Sequence, residues 1–209
     1  NDRQNTLKPR LNFRISPHDM KYHSSTSRRI DIQNIFSSDR LSLGDSFETG
    51  ESLTVGIDFK KEKINQVNKV VEIEGARIDY ENLTSAKIKK KLKGVSNYKK
   101  EVITEIEEYF DFKLATVFRF NKEKGIPLNS TINEKNSNIF GLLNYKPIKN
   151  INLKYEFSLA NDFNTIEYND LGIEYISDNF STDFSFTEEA GILGNTNVVS
   201  NVTKLIDFK

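Results

Sequence analysis

The residues best suited to acid–base chemistry are two histidines near the start of the chain. His18 and His23 are the only histidines in the sequence, and Asp19 directly follows His18. A His–Asp or Ser–His pair is an arrangement that a hydrolase can use. Ser and Asp are so frequent here that this proximity says little, and the histidines lack a recognised metal-ligand spacing. We therefore predict solvated loop histidines, with no catalytic residue, no cofactor-binding residue and no metal site.

A dense run of lysines is the next feature with a chemical meaning. It consists of Lys87, Lys89, Lys90, Lys91 and Lys93. Such a run can attract lipid phosphates or an acidic partner. A solvated surface is the more common role of a charge run, and we favour that interpretation.

Composition limits the class of protein to which these residues belong. The chain has 209 residues, with 30 Lys and Arg against 30 Asp and Glu, which argues against a dedicated nucleic-acid binder. It has no cysteine, so disulfides and cysteine-ligated zinc are excluded. It also has no apolar run long enough to predict a transmembrane helix.

A two-residue alternation of apolar and polar side chains extends along most of the chain. The clearest example sets Asp111, Lys113 and Arg119 against an apolar row formed by Phe110, Phe112, Leu114, Thr116, Phe118 and Phe120. Because successive side chains of a strand point to opposite faces, each such segment has one apolar and one polar face. A long aromatic face opposite a charged face is typical of strands in a transmembrane β-barrel.

Eight segments show the alternation and predict eight strands. They cover residues 7–16, 47–59, 109–121, 137–146, 150–160, 164–176, 180–186 and 195–208. Most approach the roughly 9–11 residues that cross a bilayer at a tilt. The predicted fold is all-β, an antiparallel up-and-down transmembrane β-barrel segment that supplies about eight strands of a larger barrel.

The connections between these segments alternate in length. Short turns are predicted at residues 147–149 and 177–179, and longer polar loops at 17–46, 122–136 and 189–194. Bacterial barrels place short turns in the periplasm and long loops outside, which makes the long loops extracellular.

Residues 61–108 break the scheme as a charged insertion within the one domain of residues 1–209. Residues 70–80 suggest one or two short strands. Val102, Ile103, Ile106 and Tyr109 have helical spacing, so we expect the insertion to be partly helical.

Several stretches resemble a known family in their order along the chain. The first strand begins TLKPRL at residue 6, and a loop reads IDIQNIFSSDRLSLGD from residue 30. The next strand opens ETGESLTVG at residue 48, and LATVFR at residue 114 precedes SNIFG at residue 137. These stretches resemble the C-terminal barrel of the lipopolysaccharide-assembly outer-membrane protein family, LptD. The loop motif is the most specific part of the resemblance, and residues 61–108 lie outside it.

The resemblance implies a function and a set of partners. The function is delivery of lipopolysaccharide from a periplasmic bridge into the outer leaflet of the outer membrane of a Gram-negative bacterium. The implied mechanism is passive, with a polar lumen for the sugar and a strand seam that opens sideways for the acyl chains. The implied partners are lipopolysaccharide, a plug lipoprotein inside the barrel, the periplasmic bridge protein and the barrel-assembly machinery.

The loop motif supplies the candidate site residues, which are Asn34, Phe36, Arg40, Gly44, Asp45 and Gly50. Arg40 and Asp45, flanked by Phe36 and Leu41, could lock the loop over the barrel mouth by charge-assisted hydrogen bonds. The alternative is that Asn34, Gly44 and Asp45 only supply turn chemistry. The role of these residues is therefore either structural or gating.

Three other functions remain open from the residues alone. The chain could be a complete eight-stranded porin-like barrel, since eight strands can close. It could be an outer-membrane enzyme that uses the loop with His18, or a soluble β-rich binding protein. We favour an internal fragment of a longer protein, and we predict an open sheet in which residues 7–16 do not pair with residues 195–208.

Overall fold

The computed structural model describes residues 2–72, 98–191 and 194–205, which form eight β-strands. The strands are β1 (Asp2–Ser16), β2 (Gly50–Glu72), β3 (Tyr98–Arg119), β4 (Ile139–Ile148), β5 (Ile151–Leu159), β6 (Ile166–Ile176), β7 (Phe180–Gly191) and β8 (Gly194–Leu205). One turn of 3-10 helix covers Leu128–Ser130. Within these ranges no helix has the length and apolar character needed to cross a membrane.

All eight strands belong to one sheet, and their order in the sheet is their order in the sequence. Neighbouring strands from β3 to β8 pair antiparallel. Among the described residues β1 and β8 do not pair, so they form the two edges of an open sheet. The all-β antiparallel fold and the open sheet predicted from the alternation are confirmed.

The chain divides into two compact units. One comprises Asn1–Gln4 and Lys63–Glu107, and the other comprises Asn5–Glu62 and Glu108–Lys209. In its described part the first unit contains the ends of three strands. The second unit contains most of the sheet and the long loops, and all sites described below lie within it.

One side of the sheet carries continuous cross-strand rows of apolar side chains, and we call it the apolar face. Strand register places Phe112, Leu143, Tyr155, Leu171, Phe186 and Val199 in one row. The next row contains Phe110, Tyr145, Leu153, Ile173 and Phe184. Near the middle of the sheet these side chains remain well exposed, at 40% for Ile173 and 41% for Phe184. The sheet therefore presents a broad apolar surface that other strands of the chain do not cover.

The other side, the polar face, carries ion pairs. Its rows run through Asp111, Lys113, Lys154, Asp170, Asp183 and Ser185. Lys154 Nζ lies 3.1 Å from Glu156 Oε2 and 3.7 Å from Asp170 Oδ2. Thr187 donates a hydrogen bond of 2.7 Å to Asp170. A one-residue shift of register would exchange the two faces, so the alternation fixes this register strongly.

Two predictions about the insertion and the last hairpin are corrected. The helix expected around Val102, Ile103, Ile106 and Tyr109 is wrong, because β3 begins at Tyr98 and includes all four residues. Val102 and Ile106 have the same parity as the apolar row of β3, and β-branched residues favour strands. Within 70–80, residues 70–72 belong to β2, and the rest lies outside the described residues.

The expected long loop at 189–194 is also wrong. The β7–β8 ladder continues to the pair Gly191 and Gly194, which leaves two intervening residues. Glu188 and Glu189 pair through their backbones with Asn197 and Thr196, so their charge does not end the strand.

The two long loops fold against the polar face and form a cap, defined as residues 17–49 and 120–138. The cap and the sheet share one buried cluster, in which the sheet supplies Ala115, Val117, Phe140 and Leu142. The loops supply Ile30, Ile32, Ile35, Leu41, Ile126 and Ile132. Burial of these side chains removes apolar surface from water and fixes the cap on the sheet.

Candidate functional site

The centre of the cap is the side chain of Arg40, which is almost fully buried. Its guanidinium donates to both oxygens of Glu48, at 2.7 Å from Nε and 2.6 Å from Nη2. It also donates to Thr54 Oγ1 at 3.0 Å, to Ser52 Oγ at 3.2 Å and to the carbonyl of Ile35 at 3.4 Å. An arginine has five N–H donors, so each can have an acceptor here.

Glu48 is the shared acceptor of a buried cluster that contains three arginines. Arg119 Nη1 lies 2.5 Å from Glu48 Oε1, and Arg14 Nη1 lies 3.8 Å from Glu48 Oε2. Burial on its own raises the pKa of Glu48. The hydrogen bond and charge of Arg40, with the charges of Arg14 and Arg119, outweigh burial and lower this pKa below its ordinary value. The carboxylate is therefore held in its ionised form.

The same cluster connects three strands to the first loop. Arg14 of β1 donates to the carbonyls of Ser37 and Ser38 at 2.7 and 2.8 Å. Arg119, at the end of β3, donates to the carbonyl of Thr49 at 2.5 Å. Arg40 reaches Ser52 and Thr54 of β2. We call this group of Arg14, Arg40, Glu48 and Arg119 the arginine cluster, and it holds the loop against β1, β2 and β3.

Phe36 and Asn34 of the loop motif lie beside this cluster. The guanidinium of Arg10 lies 3.9 Å from the centre of the Phe36 ring, which is cation–π geometry. Asn34 and Asp31 form a local turn, in which Asn34 Nδ2 donates to Asp31 Oδ2 at 3.3 Å and its backbone N–H donates to Asp31 Oδ1 at 2.8 Å. Phe36 therefore packs against the sheet, and Asn34 shapes the loop.

Two glycines of the motif region leave room for these side chains. Gly50 has φ +86°, and a Cβ there would lie 2.6 Å from Arg119 Nη2. A Cβ at Gly56 would lie 2.8 Å from the ring of Phe36 and 2.8 Å from the carbonyl oxygen of Leu114. Glycine at both positions thus allows the arginine cluster and Phe36 to approach the β2 backbone.

Asp45 and Gly44 lie away from the arginine cluster. Asp45 is exposed and accepts a hydrogen bond of 3.0 Å from Lys21, and this bond lowers the pKa of Asp45. Gly44 has φ +79° with open space around it, as expected for a turn residue. The structure pairs Arg40 with Glu48 and Asp45 with Lys21, so Arg40 and not Asp45 holds the loop against the sheet.

The contacts of His23 are unlike those of a catalytic triad. Its Nε2 lies 3.1 Å from Ser46 Oγ and 3.0 Å from Asp45 Oδ1. A triad histidine uses one ring nitrogen for the nucleophile and the other for the carboxylate. Here both groups meet the same nitrogen, so the imidazole cannot pass a proton between them in this arrangement. His18 contributes its backbone carbonyl, which accepts from Thr49 Oγ1.

We predict that both histidines are dispensable. Replacing His18 and His23 with Ala should leave lipopolysaccharide export and heat stability unchanged, because neither side chain belongs to the arginine cluster. Export assays and thermal unfolding of the double variant provide the test. Complete loss of export with normal folding would instead support the enzyme alternative.

Three residues of the arginine cluster were not singled out as site residues from the sequence. Arg14, Glu48 and Arg119 lie far apart in the chain, with Glu48 and Arg119 separated by 71 positions. The signal that could have found them is their place in the alternation. Arg14 and Arg119 belong to the polar rows of β1 and β3 at the strand ends where the long loops begin.

The lysine run at 87–93 lies outside the described residues. Among the described residues, no group of three or more His, Asp or Glu side chains is arranged to hold a metal ion.

Fold and site together define the class of protein. An antiparallel sheet in sequence order, with an apolar face and a capped polar face, has the architecture of a segment of a β-barrel wall. A family model described as LPS transport system D (LptD) matches residues 2–203, which is nearly the whole chain. The chain therefore belongs to the LptD family, and its role at the family level is in lipopolysaccharide transport. The search of curated proteins found no match to the chain.

Proposed function

We propose that this chain forms part of the wall of an outer-membrane translocon that inserts lipopolysaccharide into the outer leaflet of a Gram-negative bacterium. The observation that supports this most directly is the division of the sheet into two faces. The apolar rows extend across six strands from β3 to β8, which suits contact with lipid acyl chains. The polar face suits contact with water and sugar.

The polar face of β5–β7 offers space for such a substrate. A cavity of about 200 Å³ is lined by Asn152, Lys154, Asp170, Gly172, Glu174, Asp183 and Ser185. Carboxylates, amides and hydroxyls are groups that hydrogen-bond to sugar hydroxyls. A passive path of this kind needs no catalytic residue.

In this proposal the arginine cluster has a structural role. It holds the cap against β1–β3, so that the part of the polar face next to the long loops is filled by protein and the cavity on β5–β7 remains available to the substrate. Attachment of the cap depends directly on Arg40, Phe36 and Gly50. The conformation of the loop depends on Asn34, Gly44 and Asp45. Family membership supports the same partners for the complete assembly, namely a plug lipoprotein, a periplasmic bridge protein and the barrel-assembly machinery.

Two neighbouring residues allow a direct test. Ser185 lies on the polar face and lines the cavity, while Phe186 lies in the apolar row. A photo-crosslinking amino acid at position 185 should form adducts with lipopolysaccharide in living cells. The same amino acid at position 186 should form adducts mainly with membrane phospholipid.

Each variant is the control for the other, because both positions lie side by side on β7 and the two variants should be expressed equally. Adducts with lipopolysaccharide at 186 and none at 185 would contradict the assignment of the faces. Absence of lipid adducts at both positions would contradict a role in the membrane.

A further inference from the structure

The first loop of the cap contacts the sheet at two widely separated places. One is the arginine cluster on β1, β2 and β3, described above. The other is Arg29, which reaches β6 and β7. Between them Ile30 and Ile32 are buried against Phe140 of β4. Residues 28–35, which we call the strap, therefore cross the polar face from one contact to the other.

Arg29 makes two contacts at the far end of the strap. Its Nη1 lies 2.8 Å from Glu189 Oε1, and its guanidinium carbon lies 4.3 Å from the centre of the Tyr168 ring. Tyr168 and Glu189 are register partners, in the row that continues through Phe140 and Ala115. Arg29 thus reaches the sheet at one defined point of this row.

The two attachments differ in strength. The Arg40–Glu48 pair is bidentate and buried, and removal of one partner from such a pair leaves an uncompensated charge. Arg29 and Glu189 have side chains that are 28% and 35% exposed, and partly exposed pairs are individually weak and screened by salt. The far end of the strap is therefore the end that is released more easily.

Packing around Arg29 is also incomplete. A cavity of about 150 Å³ lies on one side, lined by Arg29, Ile30, Ile32, Phe140 and Tyr168 among others. A second cavity of about 130 Å³ is lined by Arg29, Leu128, Glu167 and Glu189 among others. Arg29 therefore borders open space on two sides.

We infer that Arg29 is a latch that positions the strap and sets how often the loop-side end of the polar face, around Tyr168, is uncovered. The closed strap is the resting state, because Ile30 and Ile32 are buried in it. Release at Arg29 uncovers Tyr168 while the arginine cluster keeps its contacts. The consequence for transport rests on the proposed function, but the latch itself does not.

Proteolysis of the whole protein in isolated membranes tests the latch. Arg28 is a trypsin site in the strap, and Glu189→Gln removes the ion pair without altering that site. Cleavage after Arg28 should be about two- to fivefold faster in Glu189→Gln, the range expected for one partly exposed ion pair. In the unmodified protein cleavage should accelerate with salt, and in Glu189→Gln it should become insensitive to salt. The temperature of global unfolding should not change.

A neighbouring carboxylate supplies the matched control. Glu188 belongs to the apolar side of β7 and contacts Asn169 at 3.5 Å, so Glu188→Gln should leave cleavage and its salt dependence unchanged. Tyr168→Leu, which removes the ring contact, should accelerate cleavage as Glu189→Gln does. Equal cleavage of Glu189→Gln and the unmodified protein, or equal effects of Glu188→Gln and Glu189→Gln, would overturn the latch.

A second measurement separates the latch from its role in transport. The chain has no cysteine, so Arg29→Cys with Glu189→Cys creates a unique pair for a short bis-maleimide linker. Linking the two should stop cleavage after Arg28 and reduce lipopolysaccharide delivery. Stopped cleavage with undiminished delivery would leave the latch intact and refute its part in transport.

Discussion

Replacement of Glu48 with Ala is expected to destabilise the protein by about 3–5 kcal/mol, the cost of leaving buried charges without their partner. Arg40 and Arg119 would then lie side by side in the cap, with side chains only 1% and 2% exposed. Their mutual repulsion and lost hydrogen bonds should detach the cap from β1–β3. Thermal or urea unfolding in detergent micelles measures the loss, and rapid proteolysis throughout residues 17–49 should accompany it.

The control for this prediction is the other carboxylate of the motif. Asp45 is exposed and paired with Lys21, so Asp45→Ala should leave the unfolding temperature unchanged. A further variant, Arg40→Met added to Glu48→Leu, should recover part of the lost stability, because it removes one of the buried unpaired cations. Equal effects of Glu48→Ala and Asp45→Ala would show that the arginine cluster does not hold the cap.

The arginine cluster also has a predicted pH dependence. The pKa of Glu48 in the folded protein lies below its ordinary value, so the folded state binds this proton less readily than the unfolded state does. Its stabilising contribution is therefore fully present above the ordinary pKa of glutamate, about 4.3, and is lost as pH falls towards the lower folded value. The contribution is absent in Glu48→Gln, so this variant should lose less stability on acidification than the unmodified protein.

The sheet was predictable from the sequence because its register has a local cause. Phe184 and Asp183 point to opposite sides of β7 whatever the rest of the chain does, so alternation alone assigns their faces. The same property located the other strands to within a few residues, except near the insertion. There Val102, Ile103, Ile106 and Tyr109 fit a helical spacing by coincidence, while β3 begins at Tyr98 and includes all four.

The cap was harder to predict because its contacts depend on tertiary structure. Arg40 and Asp45 were both identified through the loop motif, but the motif does not show which residue accepts from Arg40. The acceptor of Arg40, Glu48, lies in the cap two residues before β2, where it is buried and also accepts from Arg119 of β3. Ile30 and Ile32 looked like ordinary loop residues, since nothing local shows that Val117 and Phe140 form an apolar surface beneath them.

The second large effect is expected when arginine is substituted into the apolar face. Leu153 and Phe184 belong to one cross-strand row, connected through Ile173. If this row faces acyl chains, an arginine in it costs about 2–4 kcal/mol near the middle of the bilayer. We therefore expect Leu153→Arg and Phe184→Arg to impair assembly, measured as loss of the folded, heat-modifiable species from the outer membrane.

Arginine at position 183, next to Phe184, tests whether the loss of assembly depends on the face of the sheet or on arginine itself. Asp183 lies on the polar face, directly opposite Glu174 in the register, and both residues line the same cavity. Like charges placed opposite one another are destabilising, so Asp183→Arg replaces a repulsion with an attraction and should be tolerated. Lys154→Gln should be tolerated as well, because it introduces no charge into lipid. If arginine is accepted equally at 183 and 184, the apolar face does not meet lipid, and a soluble sheet covered by another protein becomes the better explanation.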